Sequence, residues 1–302
     1  MSRTLKYALW LFGVITAINF LVLFLFNLIG RTYAFPAWGR LAMIFAGSAV
    51  AAAVVSLVVI STAPVLRDFL VTFRRLLRLD SLTHPLLVKL SQQAPSTYHH
   101  CLMVANFAAR AAKSIGGDPL LTRIGAYYHD IGKLANPALY IENQRGEINP
   151  PAGGNFKKMA RAIINHVKHG LKLAKEHNFP DEVTAFIPQH HGTSLASFFY
   201  QKSLEQGLKV RLADFRYPGP KPMTKEAGIL MLSDGVEAKI RSLTVSTEQA
   251  IEAAIDEIFK DRLDDNQLEL SGLTDFDLKK IRRSFLESAK IFSHRRIRYP
   301  KL

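Results

Sequence analysis

The sequence predicts an all-α protein, a helical bundle behind a two-helix membrane hairpin, and three observations predict it. The first 63 of the 302 residues hold four basic side chains, Arg3, Lys6, Arg31 and Arg40, and none of the 25 acids, so two different solvents are implied. In the remainder, apolar residues recur at three- and four-residue intervals between Pro, Gly, Asn and Asp breaks. No run alternates with period two for long. The remainder also carries 35 of the 39 Lys and Arg against all 25 acids, and it is long enough for its own core. A lone cysteine, Cys101, excludes an intrachain disulfide framework and any Cys-rich zinc or iron–sulfur site.

Residues 7–29 form an uncharged stretch whose only strongly polar side chains are Thr16, Asn19 and Asn27. A helix of 23 residues rises roughly 34 Å, enough to cross the hydrocarbon core with some tilt. Residues 41–63 are equally free of charge and rich in Gly, Ala and Ser, small residues that let helices approach closely in lipid. Tyr33 and Trp38 in the connecting loop suit the interface. Arg67, Arg74, Arg75 and Arg78 follow the second span and outnumber the basic residues of the loop, which places both termini in the cytoplasm. The expectation is an inner-membrane, multi-pass protein that meets lipid through two spans. Residues 64–80 read as an amphipathic connector, with Leu66, Phe69, Leu70, Phe73, Leu76 and Leu77 at helical spacing, and residues 81–302 as one cytoplasmic domain.

Within that domain, Ser96 or Thr97 can cap a helix running to Ile115, where Gly116 and Gly117 stop it. Asp118 before Pro119 is an N-cap and first-turn pair, starting a helix that ends near His129 and Asp130. Further helices are expected over 156–177, 181–190, 224–241, 247–262 and 274–292. The segment 201–223 changes character, and YPGPKP at 217–222 forbids regular helix.

The ten histidines are grouped. His129 is followed by Asp130, and His190 and His191 are adjacent; both pairs fall at expected helix ends. Imidazole and carboxylate together suit Fe, Mn or Zn, and burying so many polar groups without a metal would leave them unpaired. His84, His177 and His294 read as unrelated to this grouping.

The order His100, His129–Asp130, His166, His190–His191 and Asp234 resembles the HD superfamily of metal-dependent phosphohydrolases. More narrowly, STYHHCLMVANFAARAA (96–112), LLTRIGAYYHDIGKL (120–134), IENQ (141–144), NHVKHG (165–170), QHHGTSL (189–195) and YPGPKPMTKEAGILMLSDGVEAKIRSL (217–243) resemble the cytoplasmic domain of seven-transmembrane HD proteins, the PgpH-type cyclic-di-AMP phosphodiesterases. The resemblance implies an HD-domain helical bundle and two divalent metal ions, Fe or Mn. It implies one metal at His100, His129 and Asp234, another at His166, His190 and His191, and Asp130 as the carboxylate shared by both. It implies Lys133 near the scissile phosphate, with Thr193 and Arg241 as further phosphate or base contacts. His99 would stand behind His100 or simply pack, and His169 is the alternative to His166 on its helix face. The implied substrate is a cyclic dinucleotide, cyclic di-AMP, opened to pApA.

Two departures from the family stand out. Two spans precede the domain here, where the family has seven and a large extracellular domain. Pro151 and Ala152 stand where the family generally shows His and Asp, so the loop at 145–158 bears on substrate preference. Competing readings are hydrolysis of cyclic di-GMP, a dNTP or ppGpp, and a catalytically silent nucleotide-sensing membrane module. Against cyclic di-GMP, His191 is followed by GTSLASFFY and not by a Gly-Tyr-Pro signature. No basic stripe with interleaved aromatics points to a nucleic-acid polymer. Self-association into a homodimer is left open.

Overall fold

The computed structural model describes residues 62–63, 65–144, 155–245 and 247–293, with a few isolated positions before them. The expected spans at 7–29 and 41–63 lie almost wholly outside the described residues. Among the described residues, no helix is long and apolar enough to cross a membrane. The chain divides into two compact units, Met1–Arg74 and Arg75–Leu302. In the first, residues 65–74 are helical, and Val65, Leu66, Leu70, Val71 and Phe73 are exposed on the expected connector.

The second unit is a bundle of eleven described α-helices without a strand among the described residues; one isolated bridge joins Leu195 and Arg216. Its helices are α1 (Pro85–Gln93), α2 (Pro95–Ser114), α3 (Pro119–Tyr128), α4 (Phe156–Ile164), α5 (His166–Glu176), α6 (Asp181–Thr184), α7 (Phe186–Gln189), α8 (Ser197–Glu205), α9 (Lys225–Ser242), α10 (Glu248–Asp264) and α11 (Asp275–Ser293). Helix α2 packs against α3, α9 and α11, and α9 against α10. One core cluster gathers Phe107, Leu230, Ile255 and Phe285; another gathers Leu87, Leu90, Ile131 and Ile187. Both α2 and α3 supply residues to each cluster, so His100 and His129 are carried by helices that link the two.

Local chemistry explains most boundaries. Asp118 accepts from the backbone of both Leu120 and Leu121 at 3.0 Å, which fixes the start of α3. The reading of Ser96 or Thr97 as a cap is corrected: α2 begins at Pro95, two or three residues before the start those caps imply, with no side-chain cap. Thr97 is instead buried, its hydroxyl 3.1 Å from Glu142 and 2.8 Å from the Asn143 amide. The stop at Gly116 holds, with φ +74°. Residues 156–177 form two helices, because the chain turns at Asn165 and His166 opens α5. Residues 181–190 likewise divide at Ala185 into α6 and α7. Helix α8 was not expected, whereas 217–222 is irregular as its prolines require.

One glycine decides how the bundle closes. A Cβ at Gly132 would stand 1.8 Å from the carbonyl oxygen of His166 and 2.5 Å from the backbone nitrogen of Gly170. Only a hydrogen there lets the 3-10 turn Ile131–Ala135 lie against α5, which brings the His129–Asp130 pair to His166.

Candidate metal centre

Five elements each deliver a polar group to one buried place. His100 stands inside α2, His129 closes α3 with Asp130 following, His166 opens α5, His190 closes α7 with His191 following, and Asp234 stands inside α9. The donor atoms fall into two groups, each within 4.8 Å: His100, His129 and Asp234, then His166, His190 and His191. Asp130 faces both. Its Oδ2 lies 3.3 Å from His129 Nε2 and 3.8 Å from His100 Nε2; its Oδ1 lies 3.4 Å from His166 Nε2 and 3.8 Å from His190 Nε2. The seven residues that the sequence offered as metal ligands are thus brought together.

Three of the imidazoles are built alike. Nδ1 of His129 donates to the Ala126 carbonyl at 2.7 Å, that of His166 to Ile163 at 2.8 Å, and that of His190 to Ile187 at 2.6 Å. A carbonyl only accepts, so each Nδ1 carries a proton and each Nε2 points into the site, as a lone pair wherever the ring is neutral. These rings sit at helix ends, where the last carbonyls lack intrahelical partners and are free to take this bond. The consequence is a conflict. Nε2 of His166 and Nε2 of His190 are 3.3 Å apart, and two neutral rings protonated at Nδ1 would set lone pair against lone pair. His129 Nε2 and Asp130 Oδ1 are also buried without a hydrogen-bond partner. Leaving such groups unpaired costs about 1–3 kcal/mol each, more for a charge. A cation held by each group would satisfy all of them, so the residues fit a metal centre. A further set of Cys101, His129 and Asp130 is geometrically close, but Cys101 lies by Nδ1 of His129, which the Ala126 carbonyl already holds.

The electrostatics differ between the groups. Burial pushes His100 down, but hydrogen bonds with Asp234 and Glu237 outweigh it and raise the ring to about 9. His129 is likewise raised against burial, foremost by the charge of Asp130. Burial lowers His166, lowers His190 to about 3 with the charge of His129 assisting, and lowers His191 with His190 assisting. Asp130 and Asp234 are held well below the carboxylate range although burial opposes it, the first chiefly by the charge of Lys133 and the second foremost by the hydrogen bond with His100.

Lys133 is almost buried, with Nζ 2.8 Å from Asp130 Oδ2 and 2.7 Å from Glu142 Oε1, and it lies 5.1 Å from the centre of the Tyr140 ring. Thr193 is tied to Gln267, which accepts from its backbone at 2.9 Å and donates to its hydroxyl at 3.0 Å. Arg241 is half exposed, 3.6 Å from Glu237. His99, His169 and His177 are exposed, and His84 accepts from Leu86 at the start of α1. His294 lies outside the described residues. Three neighbours of the site escaped the reading of the sequence. Glu237 stands one turn after Asp234 on the same helix, a spacing that could have flagged it. Glu142 lies in the IENQ segment, and Tyr217 stacks on His191 with ring centres 4.1 Å apart.

Residues 97–239 match the HD domain family. The crystal structure of the Listeria monocytogenes phosphodiesterase PgpH HD domain is matched over 100% of its length and 70% of this chain, at 42% identity and a TM-score of 0.67. The chain belongs to the HD-domain family. A second structure of that HD domain, in complex with cyclic-di-AMP, matches at the same identity and TM-score over 72% of this chain. Among curated relatives, cyclic-di-AMP phosphodiesterase PgpH of Listeria monocytogenes is 42% identical over 76% of this chain, and that of Bacillus subtilis 41% identical over 75%. This chain spans 32% of the length of each. An HD domain implies divalent-metal binding, which agrees with the orphaned His129 and Asp130 atoms.

Proposed function

We propose that this HD domain is a two-metal phosphodiesterase that opens cyclic di-AMP to linear pApA, anchored in the inner membrane by the hairpin of 7–29 and 41–63 with its catalytic domain in the cytoplasm. The observation that carries the reading is Asp130, which turns one carboxylate oxygen toward each of two donor groups. In this reading His100, His129 and Asp234 hold one ion, His166, His190 and His191 hold the other, and Asp130 is common to both. The mixed imidazole and carboxylate donors suit Fe or Mn. When bound, two such ions polarise a phosphoryl oxygen, acidify a water and clamp an in-line displacement.

The chain's own residues do the rest. Lys133 supplies positive charge where negative charge accumulates on phosphoryl oxygens, and Glu142 holds its ammonium in place. Burial of His100, His129, Asp130, His166 and His190 keeps bulk water from competing for their lone pairs, while the partly exposed His191 and Asp234 leave the site open on one side. Arg241, half exposed on the last turn of α9, has the reach to meet a phosphate or base at the rim. Thr193 offers its hydroxyl from a loop braced by Gln267. The PgpH relatives, and the PgpH HD domain with cyclic-di-AMP bound, support this substrate over other nucleotides.

The test is to load the purified chain with Mn or Fe and incubate it in parallel with cyclic di-AMP, cyclic di-GMP, a dNTP and ppGpp, resolving products by chromatography. Release of pApA from cyclic di-AMP is the expected result. Faster turnover of another nucleotide overturns the substrate, and binding without turnover of any overturns the hydrolase. Recovery of the chain in the membrane fraction tests the anchor.

A further inference from the structure

We infer that Glu237 is the positioning residue for His100, fixing its ring so that Nε2 is presented to the ion of the His100, His129 and Asp234 group. This rests on the ligand set proposed above. His129, His166 and His190 obtain their Nδ1 acceptor from a free carbonyl at a helix end. His100 cannot, because it stands inside the 20-residue helix α2, whose interior carbonyls are engaged in the helix's own ladder. Its Nδ1 is hydrogen-bonded to Oε2 of Glu237, a buried carboxylate that reaches across from α9.

Helix α9 therefore grips the ring at both nitrogens, with Asp234 Oδ1 2.9 Å from Nε2 and Glu237 at Nδ1 one turn further along. If Nε2 is given to a metal, the Glu237 bond is the one that remains to hold the ring. A carboxylate in that place does more than a carbonyl, since it fixes the tautomer and also raises the basicity of the ligand. The other oxygen of Glu237 faces Arg241 Nη1 at 3.6 Å, four residues on, which offsets the charge that Glu237 brings into a nearly buried position.

Calorimetric titration of the metal-free 302-residue chain with Mn2+ tests this, with Glu237→Ala, Glu237→Gln and His100→Ala beside the wild type and circular dichroism as the check on folding. Glu237→Ala should weaken one of two ions by ~10–100-fold and leave the other unchanged, the usual cost of losing a group that orients a metal-binding histidine. Glu237→Gln, which keeps an acceptor for Nδ1 without the charge, should weaken the same ion less. His100→Ala should lose it. If His100→Ala loses an ion while Glu237→Ala binds both as the wild type does, the positioning role is overturned and the ligand set stands. If His100→Ala itself binds both ions normally, the ligand set has failed. Should Glu237→Ala not fold, Glu237→Gln decides, and unchanged affinity for both ions overturns the inference.

Discussion

On one side of Asp130 stand His100, His129 and Asp234, with Glu237 behind them; on the other stand three imidazoles, His166, His190 and His191. In the first group the carboxylates raise both histidines, so without metal this half balances its own charge with protons. In the second, burial lowers all three rings, and the Nε2 atoms of His166 and His190 face each other and Asp130 Oδ1, which is itself an acceptor, so no cationic group lies among them. The first half resembles a folded ion-pair network that a cation would enter by displacing protons; the second resembles a cage already stripped of them. The two are also mounted differently. His100 and Asp234 sit inside helices of 20 and 18 residues, whereas His190 and His191 end a four-residue helix at a loop.

The comparison breaks most completely at Asp130, the residue both halves share. Asp130→Ala should remove both ions and reduce hydrolysis to background, as seen by metal content after dialysis and by product formation. Retention of either ion at wild-type affinity would separate the halves and refute the shared carboxylate. Changing one half at a time sharpens it: Asp234→Ala and His190→Ala should each lose a single ion, and each should cost more than the ~10–100-fold of outer-shell changes. An equal loss of both ions in either variant would mean that the halves are one cooperative site.

How much of this was readable in the sequence follows from how each feature is specified. The seven donor residues were legible because chemistry of that kind is scarce and recurs at fixed places in a resembling family. The α3 start was legible because Asp118 and Pro119 act locally. Thr97 misled because a hydroxyl near a helix start has more than one use, and here a segment 45 residues away takes it. The break at Asn165 carries no Pro or Gly to announce it, and it is tertiary packing of Gly132 against His166 that sets the geometry there. Glu237 was passed over because a carboxylate at i+3 from another reads equally well as a solvated helix face until the ring between them is placed.

A smaller effect is expected at Lys133, which leans on the first half through Asp130 Oδ2. Lys133→Ala should lower kcat by ~10²–10³-fold, the cost of one group that stabilises developing oxyanion charge, with both ions retained. Glu142→Gln should lower kcat less, because the lysine stays but its anchor weakens. Loss of an ion in Lys133→Ala would recast the lysine as a support for Asp130.

The smallest effect tests the mounting of the second half. Arg216 donates to both oxygens of Asp265, at 2.9 and 2.8 Å, and to the Thr193 carbonyl at 2.7 Å; Gln267 joins Asp265 to Thr193. This network stands behind the loop that follows His191, where Gly192 takes φ +54° and a Cβ would meet Gln267 Oε1 at 2.5 Å. Hydrogen bonding from Arg216 is the leading cause that holds Asp265 below the ordinary carboxylate range, with burial opposing. A carboxyl lowered on folding contributes stability that is complete above its unfolded pKa and is lost as pH falls through the folded one. With both side chains about a third exposed, solvent screening leaves the pair about 0.5–1 kcal/mol. Asp265→Asn should therefore lower Tm by ~1–4 °C at neutral pH. That difference should shrink as pH is taken below the ordinary carboxylate range, because the wild-type carboxyl then becomes neutral as well. In the same variant, affinity for the ion at His166, His190 and His191 should fall before that of the other half, since only the second half depends on this loop. A Tm difference that persists at acid pH would assign the effect to shape, and equal weakening of both ions would show that the two halves share their mounting after all.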